Sequence, residues 1–493
     1  MRKSLIYLAL AGAITMASCT NLEESVYGII PKEGFGGTPE QLAALLGPAY
    51  SGIRGYAEHI HNTEVTTDVM LVPTRGRDWY DGGEWLNYNR HTWATTHSRI
   101  NNIWGWLYET GINTINNLIP QVGNNTNAVA ELRAVRAFYY LIALDTFGNV
   151  PIITEGSGAT QVTNSPRAEV YAFVEKELRE ALPNLIEGES YGRINQMTAH
   201  ALLAKLYLNA QVYKGAPEWQ KVIDETTLII NSGEYSLSSN FFENFAVRNE
   251  NSNENVWAIP FDRFQAGGMN IPYRTLHYGN KLTYGLADTP WNGFCSLAEF
   301  YNSFENNDVR KRMFIVGPQY AADGTQLLTD AGLPLVFTPE VRTDEFTSSD
   351  PEYQGAGARL GKYEIQRNNT VTDQDNDWAM IRLSDLYLMR AEANLRLGKT
   401  AEAMTDVNLV RTRAGVTPLT ALTLDELLAE RGRELAWEGW RRSDLIRFGK
   451  FNDVGGRFTS KFMRNPAPHT VLFPIPQQRL DANPGLKQNP GYN

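Results

Sequence analysis

Two stretches late in the chain constrain its fold more than anything else in it. Leu383, Leu386, Tyr387, Ala391 and Leu395 recur at the 3.6-residue period of one helix face. Gly398 closes that helix, Thr400 caps the next, and Ala403, Met404, Val407, Val410 and Ala414 line its face before Gly415. Helices joined by so short a turn run antiparallel, with small residues where they meet. The same punctuation recurs upstream. Ile100, Ile103, Trp104, Leu107, Ile115 and Leu118 form a stripe stopped by Pro120. Leu132, Val135, Tyr139 and Ile142 form another, with Gly148 beyond. Ser165 reads as a cap and Pro166 as a first-turn proline ahead of Val170, Phe173, Val174, Leu178 and Leu182. Ala201, Leu202, Leu206 and Val212 mark a further helix, and Thr423 with Glu426 makes a capping box.

Each late pair resembles a tetratricopeptide (TPR) unit, but the spacing between pairs is irregular. The expected fold is therefore mainly α: TPR-like helix pairs form a helical scaffold, with a large loop-rich region containing short strands. That region, 233–380, is rich in Gly, Asn, Asp, Tyr and Trp and has no long helical period; Val256-Trp257-Ala258-Ile259 reads as a short strand. A loop-rich stretch of this length inside a folded chain is usually functional. The organisation that follows is 1–18 leader, 19–232 helical, 233–380 ligand-side, and 381–493 helical with an extended tail. Pro466, Pro468, Pro474, Pro476, Pro484 and Pro490 should lay that tail over the helices.

Arg2 and Lys3, an apolar run from Leu5 to Met16, and the small pair Ala17-Ser18 form a secretory signal. The run is shorter than the roughly 20 residues a membrane helix needs. Met16-Ala17-Ser18-Cys19 resembles a bacterial lipobox, with Met where Leu is usual, so Cys19 is the expected lipidation site. Glu23 and Glu24 follow, as in export signals of surface lipoproteins. With Cys19 acylated, Cys295 stands alone and no internal disulfide is available. Without the leader, 43 basic residues face 55 acidic ones, so nucleic acid is not an expected partner.

Five of the eleven tryptophans lie between Trp79 and Trp106. Trp79, Tyr80 and Trp85 sit among Arg75, Arg77, Asp78 and several glycines, in a stretch with no apolar period. A second stretch interleaves Tyr273, Tyr278, Tyr284 and Trp291 with Arg274, Asn280, Asp288 and Asn292. Aromatic faces flanked by polar side chains suit sugars, because the ring stacks on C–H faces while the polar groups bond hydroxyls. The two stretches are expected to wall one shallow site. No cofactor or catalytic signature appears: there is no HExxH, GxSxG, Walker loop or GxGxxG. Asp373, Asp375 and Asp377 imitate a calcium loop, but Trp378 stands where Gly is needed and Ser384 where Glu is needed, so no metal is expected. His59 and His61 read as surface residues. Arg431, Glu434, Glu438, Arg442 and Asp444 alternate in sign at helical spacing and read as a structural ion-pair network.

Several longer elements carry a family likeness. They are Arg133–Tyr140 with Phe147-Gly148-Asn149-Val150-Pro151, then Thr198–Leu208, Arg382–Ala393 and Glu430–Leu445. Phe473-Pro474-Ile475-Pro476, Asn483-Pro484 and Gln488–Tyr492 follow in the tail. In this order, behind a lipobox, they resemble the SusD/RagB family of lipid-anchored outer-membrane nutrient-binding proteins. Asn149 stands where Asp is common and His200 where a small residue is usual. The resemblance implies a lipoprotein held on the outer membrane, exposed on the cell surface, that captures oligosaccharides without cleaving them. It also implies a SusC-like TonB-dependent transporter as partner. Asp68, in Thr66-Thr67-Asp68, resembles an element near the ligand face of the family. Peptide capture of the RagB kind, a glycoside hydrolase and a pure TPR scaffold are the alternatives.

Overall fold

The computed structural model describes residues 38–157 and 162–492, so the leader and Cys19 lie outside the described residues. By contacts the chain divides into 1–44 and 45–493; the described part of the first is almost wholly helical, and all that follows concerns the second. About 47% of the chain is helical and no strand among the described residues exceeds five residues, which makes the fold mainly α.

The helices pack as successive neighbours. Thr126–Phe147 lies against Arg167–Ala181, Gln196–Leu208 against Trp219–Ser232, and Leu383–Arg396 against Thr400–Arg413. Trp219–Ser232 also packs on Leu383–Arg396, so the scaffold steps from one to the other across the intervening loop-rich residues. Strand Asn255–Ile259 pairs antiparallel with Trp378–Arg382, which closes the neck of that excursion. In the late pair Leu388, Ala391, Ala403, Val407 and Val410 are fully buried together, with Leu427 of the next helix. Thr126–Phe147 is apolar nearly all round and correspondingly buried. Asn125 caps it by accepting from Ala128 N at 3.1 Å, and Gly148 at φ 74 ends it.

Three expected caps and faces differ in detail. Ser165 pairs with Val150 in a β-bridge, Pro166 takes the cap position, and Arg167 N donates to Asn149 Oδ1 at 2.8 Å instead. Lys399, not Thr400, precedes the Thr400–Arg413 helix. Thr423 does cap Leu424–Leu435, accepting from Glu426 N, but that helix stops short of Glu438 because Ala436 already leaves helical geometry at ψ 130, with Trp437 following at φ 61. His59 and His61 are not on the surface. Both lie buried in the Tyr56–Glu64 helix, and burial lowers them to about 3 and about 4, so they are neutral at pH 7.

Glu434 and Glu438 find their cations in other segments. Fully buried Arg382 bonds Glu254 at 2.6 Å, Glu434 at 2.9 Å and Glu438 at 2.7 Å. Arg310 bonds Asp308, Glu430 and Glu434 within 3.0 Å, and Lys362 bonds Glu438 at 2.6 Å. Arg431 joins Asp444, and Arg447 joins Glu392, both at 2.8 Å. Arg442 instead lies over Phe451 and Phe473 and donates to Val471 O. The network ties the excursion (Glu254, Arg310, Lys362) to the C-terminal helices.

Glu64 sits beside this network without a matched charge. Its Oε1 accepts from Arg441 N at 3.0 Å, but its buried Oε2 has no partner. Burial raises it to about 8, with Arg441 opposing, so it is protonated at pH 7 when folded and ionised when unfolded. A folded pKa above the unfolded one gives stability that is present below about pH 4.5 and is lost as pH rises to about 8. Glu64→Gln keeps the acceptor and removes the titration. Its melting temperature should match wild type below pH 4.5 and exceed it by a growing margin up to pH 8. Parallel pH curves for the two proteins would sink this account.

Candidate functional site

The Thr74–Trp79 turn is held at both ends. Thr74–Arg75 pairs in parallel with Glu345–Phe346, and Arg75 N and Asp78 O close the turn at 2.9 Å. Gly76 at φ 69 lets the chain reverse, and Trp79 follows at φ 60, a left-handed conformation that a bulky side chain rarely adopts. Such backbone strain persists only where the surroundings over-determine it. Here Trp79 Nε1 donates to Trp291 O at 2.7 Å, and the indole meets Phe294 edge-on at 5.2 Å. Gly293 passes beneath it so closely that a Cβ there would enter the Trp79 ring.

The second wall is pinned to a short helix, Ile271–Thr275. Trp291 N bonds Tyr273 O, Asn292 N bonds Leu276 O, and Gly293 N and Phe294 N both bond Arg274 O at 2.8 Å. Arg274 spans Trp291 and Phe294 at 5.7 and 5.6 Å and pairs with Glu58 at 2.7 Å. Tyr278 donates to Asp78 across the two walls. Its hydroxyl is pushed above its ordinary range, first by burial and then by that carboxylate. Behind it, His277 Nε2 contacts Gln354 Oε1 at 3.2 Å.

The structure therefore brings Asp78, Trp79, Tyr278 and Trp291 together. Trp79, Tyr278 and Trp291 are partly open, Arg77 and Asp78 are exposed, and Tyr80 is 52% exposed. Arg99 borders the group, bonding Asp81 and Glu84 at about 3 Å. Flat rings among charged and hydroxyl groups can stack on an apolar face of a ligand and bond its polar edge.

Four of the expected contact residues do not reach this face. Arg75 is 1% exposed and donates inward to Tyr353 O at 2.6 Å and Ala356 O at 2.7 Å. Trp85 is fully buried in the Glu84–Arg90 helix; its Nε1 bonds Asp81 Oδ2, and Arg99 covers its ring at 4.0 Å. Gly82 and Gly83 hide that helix start from a periodicity reading. Asp68 is 8% exposed, forked on Arg441 at 2.7 and 2.6 Å. A polar residue in a buried pair looks the same in sequence as one facing a ligand. Tyr284 packs on the same apolar cluster as Trp291 but lines a separate open groove of about 660 Å³ with Phe242, Arg312 and Arg367. Of the acidic triplet, Asp377 accepts from Phe261 N and Asp375 from Arg263 N, so both serve the chain itself. Arg274 and Gly293 emerge as positioning residues; the Asn292-Gly293 dipeptide was the available signal for a turn there.

Two family models match the chain. One, described as the SusD family, covers 253–492, and the other, described as starch-binding associating with outer membrane, covers 38–208. The starch-binding protein SusD of Bacteroides thetaiotaomicron is 26% identical, over 95% of this chain and 90% of that one. A solved laminarin-binding SusD-like protein is 25% identical with a TM-score of 0.72, covering 92% of this chain and 99% of its own. Surface glycan-binding protein A of Bacteroides thetaiotaomicron, solved with laminarihexaose, superposes with a TM-score of 0.73 at 21% identity and the same coverage. With both parts matched in order on a helical scaffold of this kind, the chain is a SusD-like protein.

Proposed function

We propose that this chain captures oligosaccharides at the cell surface and passes them to a SusC-like TonB-dependent transporter in the outer membrane. The observation that carries this reading is the pair of walls at Trp79 and Trp291, bridged by Asp78 and Tyr278. The names of two relatives, one starch-binding and one laminarin-binding, support a glycan as ligand. The contact set is Arg77, Asp78, Trp79, Tyr80, Tyr278 and Trp291, with Arg274 holding Trp291. Acylation of Cys19 would anchor the protein to the outer membrane. The protein binds and does not cleave. Asp78 is engaged by a hydroxyl, and Glu58, Asp81 and Glu84 by arginines. We read these pairings as positioning side chains for capture rather than cleavage.

The test uses the acyl-free chain beginning after Cys19, run through native gels cast with a panel of polysaccharides, beside Trp79→Ala and Trp291→Ala. One glycan should retard the wild type. Each variant should bind it at least about tenfold more weakly, roughly 1.4 kcal/mol, and no sugar should be released. Retardation by no glycan would overturn glycan capture, and sugar release would overturn binding without cleavage.

A further inference from the structure

The aromatic face continues past Asp78. Arg75, in the turn that carries Trp79, donates to Tyr353 O at 2.6 Å, so the segment of Tyr353 is bound to that turn. The Tyr353 ring lies beside Gly76, where a Cβ would stand 3.6 Å from its Cε2, and it remains partly open. Its hydroxyl meets exposed Asp330 at 3.5 Å. Buried Gln354 fixes Asp330 in place: Asp330 N donates to Gln354 Oε1 at 3.0 Å, and Gln354 Nε2 donates to Asp330 Oδ2 at 2.7 Å. The same Gln354 meets His277, whose Nδ1 accepts from Gly279 N at 3.0 Å and whose ring backs Tyr278 at 4.9 Å. One run of contacts thus leads from Asp78 and Tyr278 through His277 and Gln354 to Asp330 and Tyr353.

Tyr353 and Asp330 repeat the chemistry of Tyr278 and Asp78. Each pair offers a ring, a hydroxyl and a carboxylate, which suits the C–H face and the hydroxyls of a sugar. Neither carboxylate is held by a cation: Asp78 is bonded by Tyr278, and Asp330 by Gln354 and Tyr353. Exposed Arg77 bonds neither, and Arg342, which pairs with Glu352 next to Tyr353, is also held by Asp350. Both carboxylates act on the Tyr353 hydroxyl, which burial, then Asp330, then Asp78 push above its ordinary range. A unit bearing only hydroxyls can donate to such carboxylates, whereas a uronate meets like charge.

We infer that Tyr353 and Asp330 form a further subsite on this face, which holds another unit of a neutral glycan beyond the one at Trp79 and Trp291. This rests on glycan capture at those two rings. The test compares chain lengths. Disaccharides and hexasaccharides of α-1,4-glucan, β-1,3-glucan, β-1,4-xylan and β-1,4-mannan, with hexagalacturonate, are titrated calorimetrically into the acyl-free chain, Trp79→Ala, Tyr353→Ala and Asp330→Asn; disaccharides are read by competition against the hexasaccharide that binds. Tyr353→Ala should bind that hexasaccharide about fivefold more weakly and its disaccharide as wild type does. An equal loss at both lengths would make Tyr353 a prop for the turn and overturn the subsite. So would wild-type hexasaccharide affinity in Tyr353→Ala when Trp79→Ala has lost it. A wild type that binds no hexasaccharide overturns glycan capture and the subsite with it. Hexagalacturonate should bind wild type at least about tenfold more weakly than the neutral hexasaccharide, and Asp330→Asn should narrow that gap. Equal affinities, or a gap that Asp330→Asn leaves unchanged, overturn the neutral class.

Discussion

Arg382→Met will destabilise the protein by roughly 3–5 kcal/mol, the range for breaking a buried ion pair by removing one partner. Arg382 is fully buried and bonds Glu254, Glu434 and Glu438 at once; Arg310, Arg413 and Lys362 stay on these carboxylates, but the buried network loses one of its cations where water cannot replace it. Arg382→Lys should recover only part, because an ammonium cannot fork to three acceptors as a guanidinium does. The thermal midpoint measures both, and a midpoint within a degree or two of wild type for the methionine variant would mean the network is not under tension. The same network sets the acid limit. Burial alone would raise Glu430, but Arg310, Arg433 and Arg411 bring it down to about 2. A folded pKa below the unfolded one gives stability that is present above about pH 4.5 and lost as pH falls to about 2. Arg310, Arg382 and Arg413 likewise overcome burial at Glu434. Acid unfolding should therefore begin only below pH 4.5.

Gly293→Ala should weaken glycan binding at least about tenfold, roughly 1.4 kcal/mol, without removing any contact side chain. Gly293 has no left-handed φ, so alanine meets no backbone penalty there; the obstacle is its Cβ, which would occupy the space of the Trp79 indole. The ring must then leave Trp291 O, and the strained backbone at φ 60 loses the bond that fixes it. Binding should fall together with the near-ultraviolet circular dichroism of the tryptophans, while the melting temperature changes less than for Arg382→Met. Full affinity with unchanged aromatic dichroism would show that Trp79 does not need its seat on Gly293.

The helical scaffold was legible because its signals are local. Apolar residues at helical period, Gly398, Gly148 and Pro120 each act within a turn of where they stand. The loop-rich region was not legible in the same way, because its order comes from partners far off in sequence. Thr74 meets Glu345, Asn255 meets Arg382, and Arg75 bonds Ala356. Asp68, Arg75 and Trp85 show the limit from the side of the site. Burial of a charge depends on a cation or carbonyl that only the fold delivers, and residue type does not foretell it. Asp78, Trp79, Tyr278 and Trp291 were reachable because aromatic and polar residues alternate there without a period that would use them as core.

The tail carries one more consequence. Asn489 Nδ2 bonds Phe147 O and Phe473 O at 2.8 Å, and Trp93 Nε1 bonds Tyr492 OH at 2.7 Å. Groups near residue 490 thus complete the hydrogen bonding of a helix and a turn some 340 to 400 positions earlier. During synthesis those early segments emerge long before their partners exist. Until then Phe147 O and Trp93 Nε1 have water in place of these partners, and closure of such long loops is slow. Folding of this chain is expected to be a late event that follows synthesis, which leaves time for an unfolded polypeptide to be moved before it becomes too compact to thread.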